Sequence, residues 1–349
     1  CEPKHLIIKL QEKPTHIAVS CDHELLAVTG GQLLCVFKVA SPNDFNTSRS
    51  SATRIHRLPA TRVISSVHLV GAVVHYVFRF KCMKKKHRKR TAEVWDQIKK
   101  RLLHSCIYRC ICWSPKGKQL VTGNSDGTLS QYKPDLTPAK TIPAPNLFEG
   151  SPVEALAVYW ISTFQFAVVY KNATNNSPVT IINTPKAGQP SCVNYEDICY
   201  SMGTNRPWYY YLQGIAQWNI ILSSSSNSME IATLGSADGA NWPDEARPEL
   251  PLTDKKQENY PVGLCIDTCA IHQLPWGENS TLPHMPLLHV VSQTGLLTIF
   301  NVINLNNTAG QVCSPPQLMM LPAAAMTRYL HNSYSRCYSS LHFLRNEMR

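Results

Sequence analysis

The sequence has few charged residues, little glycine and none of the motifs that mark common catalytic sites. Charged residues make up 16% of the 349 residues, and the 16 glycines are outnumbered by 24 prolines. A hydrophobic content of 44% is too high for a disordered chain, and this much proline argues against a helical bundle. We therefore expect a folded, turn-rich chain of two ordinary domains or one large all-β ring.

The sequence also contains no motif typical of an enzyme active site, a metal site or a cofactor site. The chain has no G-x-S-x-G, no phosphate-binding loop and no H-E-x-x-H. Its 13 cysteines include no C-x-x-C, and none forms a Cys/His pair at zinc spacing. The sequence thus predicts a protein that is not an enzyme, with no metal site and no cofactor, whose cysteines are free thiols in a reducing compartment.

The net charge of +11 is confined to two segments. Residues 81–101 carry ten Lys or Arg against two acidic residues, and residues 315–349 carry four Arg against one Glu. These two segments account for the whole excess, so the remaining body is neutral. A basic nucleic-acid-binding face is not predicted for that body.

A short strand-turn-strand unit recurs along the chain. Its clearest copy is residues 110–132, CICWSPKGKQLVTGNSDGTLSQY, in which Asp126-Gly127 is a hairpin signal. Looser copies place their second strands near positions 27, 167, 220 and 289. The spacings fit the blades of a WD40-like β-propeller, with five units legible and a sixth implied between 45 and 108.

The implied sixth unit departs from the pattern. An apolar run at 63–80 precedes the basic run KKKHRKR (84–90), and Val94, Ile98 and Leu102 then have the spacing of an amphipathic helix near 92–106. His68, His75 and Arg79 argue against a membrane span in the apolar run. The change in composition allows that this segment is not native coding sequence, a hypothesis we leave open.

The predicted organisation has four parts. Residues 1–62 hold the first legible blade and its connection, and residues 63–108 form the atypical apolar, basic and helical segment. Residues 109–310 hold further blades, and residues 311–349 form an irregular tail.

Several stretches resemble one family in the same order along the chain. They are residues 16–22 (HIAVSCD), 110–120 (CICWSPKGKQL), 166–170 (FAVVY), 217–222 (QWNIIL) and 247–255 (RPELPLTDK). Together they resemble the amino-terminal β-propeller of the 214-kilodalton nucleoporins at the cytoplasmic face of the nuclear pore. That propeller has seven blades, so the resemblance implies that this chain lacks the first blade and has an atypical third.

The resemblance also implies a partner and a site. The family's propeller docks a DEAD-box RNA helicase during messenger RNA export and binds other nucleoporins through regions absent here. In the family the contact includes the charged loop matching 247–258, while Lys256 and Gln257 depart from it and reduce its acidity. The candidate partner-binding residues are Asp244, Glu245, Arg247, Glu249, Asp254 and Glu258.

An alternative function is a generic WD40-like interaction scaffold that uses the basic run 84–90 for RNA binding or nuclear targeting. No aromatic residue is interleaved with that run, which makes nucleic-acid binding a weaker expectation than helicase docking. Direct membrane binding is not expected. The two functions differ in the segment that carries binding, residues 241–262 or residues 84–90.

Overall fold

A computed structural model describes residues 6–10, 12–22, 24–38, 78–82, 97–102, 106–195, 207–235, 247–270, 273–278, 280–306 and 309–314. Within these ranges the chain consists of strands, turns and a single turn of 3-10 helix at Ala216–Trp218. The all-β prediction is therefore confirmed. No helix in the described part is long and apolar enough to cross a membrane.

Five antiparallel sheets of three or four strands follow one another through the described residues, and we number them I to V. Sheet I contains β2 (His16–Val19), β3 (Leu25–Gly30), β4 (Leu33–Lys38) and β6 (Gln97–Leu102). Sheet II contains β7 (Tyr108–Trp113), β8 (Leu120–Asn124), β9 (Leu129–Tyr132) and β10 (Pro138–Ile142). Sheet III contains β11 (Glu154–Ser162), β12 (Gln165–Lys171), β13 (Thr180–Asn183) and β14 (Ser191–Asn194).

The last two sheets have three strands each among the described residues. Sheet IV contains β15 (Tyr210–Ile215), β16 (Ile220–Ser225) and β17 (Ile231–Gly235). Sheet V contains β18 (Pro261–Asp267), β21 (Leu287–Ser292) and β22 (Leu297–Asn301). Two further pairs are β1 (Leu6–Leu10) with β5 (Phe78–Cys82), which is parallel, and the hairpin β19 (Leu274–Trp276) with β20 (Ser280–Leu282).

Consecutive sheets pack face to face, which explains why the central strands are apolar on both faces. Ala27 and Val36 of sheet I meet Trp113 and Leu120 of sheet II. Similar clusters lie between sheets II and III, III and IV, and IV and V. Because β12 is buried on both faces, it does not alternate apolar with polar residues. It contains the continuous apolar run FAVVY instead. The outermost strands β10 and β14 are largely exposed.

The described residues between β7 and β22 form four consecutive antiparallel sheets, II to V. The Asp126-Gly127 turn joins β8 to β9, and Gly127 has φ +77°, a left-handed value that favours glycine. Asp126 stabilises this turn by accepting hydrogen bonds from the Thr128 amide and hydroxyl, at 3.1 and 2.7 Å. Trp113 at the end of β7 is buried.

The helix expected near 92–106 is wrong where the structure describes it. Residues 97–102 are β6, paired with β4 so that Leu102 lies opposite Leu33. The edge of β4 offers unpaired backbone groups, and this tertiary partner outweighs the helical spacing of Val94, Ile98 and Leu102. Lysine is common in edge strands, so QIKKRL is compatible with one.

The remainder of the implied sixth unit lies largely outside the described residues, including the basic run 84–90. Its described part does not form a separate sheet, because β5 pairs with β1 and β6 completes sheet I. The predicted number of blades, the missing first blade and the four-part division of the chain stay predictions. Of the tail, residues 311–314 are described, and Val312 and Cys313 are buried.

Candidate partner-binding site

The candidate site is a loop that leaves sheet IV and enters sheet V. Residues 247–260 of this loop are described, whereas Asp244 and Glu245 lie outside the described residues. The loop therefore brings together four of the six predicted site residues, Arg247, Glu249, Asp254 and Glu258.

The first limb of the loop is fastened to sheet IV. The Ile231 amide donates to the Pro248 carbonyl and the Leu250 amide to the Met229 carbonyl, both at 3.0 Å. Leu250 is fully buried in the core between sheets IV and V. Backbone pairing and one buried side chain together hold this limb in place.

Arg247 belongs to this fastening. Its Nη1 lies 3.5 Å from Glu230 Oε2, and only 9% of its side chain is exposed. A guanidinium held in this way stabilises the loop and presents little surface to a partner. The partner-binding prediction consequently depends on the carboxylates of the loop.

The tip of the loop is a tight turn built around Thr253. The Thr253 amide donates to the Gln257 carbonyl at 2.9 Å, and the Lys256 amide donates to the Thr253 carbonyl at 2.8 Å. The Thr253 hydroxyl also accepts from the Gln257 amide at 3.1 Å. Lys256 has φ +56°, which closes the turn in a left-handed conformation.

The second limb is fastened to the β21–β22 turn of sheet V. The Gln293 amide donates to the Tyr260 carbonyl at 2.8 Å. Asn259 is buried, and its side-chain Nδ2 donates to Thr294 Oγ1 at 3.3 Å. The Tyr260 hydroxyl donates to a carboxylate oxygen of Glu258. With both limbs anchored, little loop entropy has to be lost when a partner binds.

The exposed surface of the loop mixes charge with apolar area. Glu249, Asp254 and Glu258 are exposed, as are Lys255 and Lys256. These five charges sum to −1, so the loop is only weakly acidic. Carboxylates fixed at a surface bind cationic groups, and neighbouring lysines weaken but do not abolish that preference.

Sequence reasoning missed three contributors to this surface. Glu230 holds Arg247, Tyr260 orients Glu258, and Leu252 has half of its side chain area exposed, at 52%. The exposure of Leu252 has no signal in the sequence, because Leu250 and Leu252 are two residues apart before the same turn, yet Leu250 is buried and Leu252 is exposed.

The described residues also contain thiols and other side chains that can bind metal ions. Their cysteines are free, and no group of three or more Cys, His, Asp or Glu side chains is placed to hold a metal ion. Burial raises the pKa of Cys110 to about 12 and that of Cys112 to about 11. Thiols with such pKa values are poor nucleophiles at neutral pH.

Comparison with known proteins identifies the family. The family model for the NUP159/214 beta propeller matches residues 4–297. The chain belongs to the NUP159/214 β-propeller family. Nup214 of Drosophila melanogaster is 36% identical over 344 residues, which cover 90% of this chain and 19% of that protein. Human Nup214 is 36% identical over 225 residues, covering 60% of this chain and 11% of that protein. The chain spans about a fifth or less of the length of these two relatives.

Two solved structures resemble the propeller. The amino-terminal domain of Nup159 is 16% identical with a TM-score of 0.47, and the match covers 82% of this chain and 89% of that one. A chain from a structure of S. cerevisiae Dbp5 bound to Nup159 and Gle1 is 14% identical with a TM-score of 0.44, and the match covers 86% of this chain and 98% of that one. The family assignment rests on the family model.

Proposed function

We propose that this chain is a nuclear pore component of the cytoplasmic face that docks a DEAD-box RNA helicase for messenger RNA export and performs no catalysis. The observation that carries the proposal is the loop 247–260, which is fastened at both limbs and presents Glu249, Asp254 and Glu258 to solvent. Membership of the NUP159/214 propeller family supports it.

The chemistry of the contact follows from what a helicase offers. An RNA helicase has a basic surface that holds RNA phosphates, and fixed carboxylates can occupy part of that surface instead. Charge complementarity of this kind raises the association rate and orients the partner. Lys255 and Lys256 offset the charge of two of the three carboxylates. Charge alone therefore contributes modestly to the affinity for the helicase.

Leu252 supplies a second, apolar contribution to the affinity for the helicase. Its exposed half lies in the same loop as the three carboxylates, two residues before Asp254. An apolar side chain surrounded by polar groups is the usual composition of an interface centre with its rim. We therefore place Leu252 at the centre of the helicase contact and the carboxylates around it.

A competition assay tests this function. Labelled single-stranded RNA is bound to the ATP-loaded helicase, and its fluorescence anisotropy is followed as the chain is added. We expect the chain to displace the RNA, and we expect an Asp254→Lys/Glu258→Lys variant to displace it poorly. A Glu24→Lys/Glu149→Lys variant changes the charge equally at exposed sites on sheet I and after β10, and should displace the RNA as the wild type does.

The same assay distinguishes the alternative function. If the chain binds RNA in the absence of helicase, and neutralising the basic run 84–90 abolishes that binding, the chain is an RNA-binding scaffold. If the wild type, the loop variant and the control variant displace the RNA equally, the helicase contact lies on another surface of the propeller.

A further inference from the structure

Two cysteines that are distant in sequence come together just after the end of β18. The Ser314 amide donates to the Thr268 carbonyl at 2.9 Å, which pairs the backbone after β22 with the backbone after β18. Cys313 directly precedes the donor of this hydrogen bond, and Cys269 directly follows its acceptor. The pairing therefore places both cysteines in one small region.

A second contact fixes the position of the Cys313 sulfur. The Ala270 amide donates a hydrogen bond to this thiol. The contacts of the Cys313–Ser314 segment thus fall on residues 268 and 270, one on each side of Cys269. Disulfides need α-carbons about 4.4–6.8 Å apart, a separation that opposed residues of paired backbone segments have. Cys313 and Cys269 are therefore placed to be joined.

Proximity, rather than an activated thiol, is what favours a reaction between them. Burial and the negative charge of Asp267 raise the pKa of Cys269. Burial, Asp267 and then Cys269 raise the pKa of Cys313, so each cysteine lies within the electrostatic reach of the other. Thiols of this kind react slowly with oxidants from solution at neutral pH. A reaction between two groups held side by side is far faster than the same reaction between separate molecules.

We propose that Cys269 and Cys313 form a reversible disulfide, with a small-molecule disulfide such as oxidised glutathione as the oxidant. Cys269 is partly exposed and Cys313 is buried, so the Cys269 thiolate attacks first. A bond between Cys269 and glutathione forms, and one glutathione thiolate leaves. The Cys313 thiolate then attacks the Cys269 sulfur and expels the second glutathione thiolate. Two protein thiols are oxidised, one glutathione disulfide is reduced, and the two protons end on the glutathione thiols.

The disulfide would fasten sheet V. Residues 269–313 include the hairpin β19–β20 and the strands β21 and β22, so the bond closes a loop around all four. Closing a loop of this length removes conformational freedom from the unfolded chain. Within the described sheet, β22 has β21 as its only neighbouring strand, and such a strand opens locally more easily than a central one. The cross-link should therefore protect β22 most.

Peptide mapping without reductant tests the proposal. The full chain is incubated with oxidised glutathione, remaining thiols are blocked with N-ethylmaleimide, and the peptides are identified by mass spectrometry. We expect the wild type to yield a peptide pair joined through Cys269 and Cys313, which dithiothreitol separates. In Cys313→Ser the hydroxyl still accepts from the Ala270 amide but cannot form the disulfide, so Cys269 should accumulate as its glutathione adduct. Cys192, exposed on β14, is the internal control and should carry glutathione in both proteins.

A matched variant and a second readout complete the test. Cys265→Ser removes an exposed thiol from β18 and should leave the cross-link intact. Oxidation should slow hydrogen exchange at β22 about threefold or more in the wild type and leave it unchanged in Cys313→Ser. A wild type in which Cys269 remains a glutathione adduct, or pairs with a different cysteine, overturns the proposal. A cross-link between two chains, seen as a dimer mass without reductant, also overturns it.

Discussion

Trp113 joins sheet I to sheet II through both packing and a hydrogen bond. Its indole is buried among Ala27, Leu34 and Leu120, and its Nε1 donates to the Ala18 carbonyl at 3.1 Å. Trp113→Ala should lower the free energy of unfolding by about 3–5 kcal/mol, measured by urea denaturation. Trp113→Phe keeps most of the ring but loses the hydrogen bond to the Ala18 carbonyl, and should cost about 1–2 kcal/mol. Equal losses for both variants would show that the hydrogen bond dominates.

His16 makes stability depend on pH. Burial, with a smaller contribution from the positive charge of Arg109, lowers the pKa of His16 to about 4 from 6.5. Since the unfolded chain takes up the proton first, stability is fully present above about pH 6.5 and falls as the pH drops towards 4. The loss should be about 2–3 kcal/mol. His16→Gln should remove this part of the slope in unfolding experiments between those pH values, and an unchanged slope would contradict the assignment.

Leu252 gives the residue-scale prediction for binding. Because half of this side chain is already in solvent, Leu252→Ala should leave the free energy of unfolding nearly unchanged. Helicase affinity should fall about fivefold or more, which corresponds to ~1 kcal/mol at an interface centre. Isothermal titration measures the affinity, and Val262→Ala, at another exposed apolar residue, is the control. Equal affinity for both variants would exclude Leu252 from the contact.

Residue patterns predicted a structural role correctly where a pattern has a single common use. The pair Asp126-Gly127 is typical of a hairpin turn, and the structure has that turn between β8 and β9. Arg247 could equally have faced a partner or Glu230, and its actual pairing depends on the start of β17 passing beside it. Such long-range juxtapositions are not encoded in local sequence.

The β8–β9 hairpin packs closely against the connection between β10 and β11. Gly127 sits at its turn, and a Cβ there would lie 2.7 Å from Val153 Cγ2 and 2.9 Å from Ala144 Cβ. Gly127→Ala should therefore cost about 2–4 kcal/mol in thermal or urea unfolding, from the left-handed backbone and the clash together. Gly150→Ala is the matched control, because Gly150 also has a positive φ but no atom within 4 Å of the added Cβ. It should cost about 1–2 kcal/mol.

At the scale of elements the sequence predicted strands with regular hairpin turns and failed where pairing was distant. β6 lies far along the chain from β4. The spacing of its apolar residues was therefore interpreted as a helix, whereas in the structure β6 pairs with the edge of β4. The hairpin β19–β20 was also missed, because its strands are only three residues long. Short or distant pairings gain their stability from the rest of the fold rather than from local propensity.

At the scale of the whole molecule, packed sheets hold the mixed-charge loop 247–260 in place. The loop is fastened to sheet IV through Leu250 and to sheet V through Asn259, so its geometry is inherited from the contact between those sheets. The spacing of the recurring strand units predicted the propeller fold, and the family resemblance implied the helicase partner. The structure added the fastening of Arg247 and the exposure of Leu252.

The central claim is that this loop docks a DEAD-box helicase, and direct titration of the ATP-bound helicase tests it. Wild type, Asp254→Lys/Glu258→Lys and the control Glu24→Lys/Glu149→Lys are compared at low and high salt. The account predicts that the loop variant binds about tenfold or more weaker at ~0.05 M salt, that the control binds as the wild type does, and that the difference shrinks at ~0.5 M salt because exposed charges are screened. Equal affinity of all three proteins at both salt concentrations would contradict it.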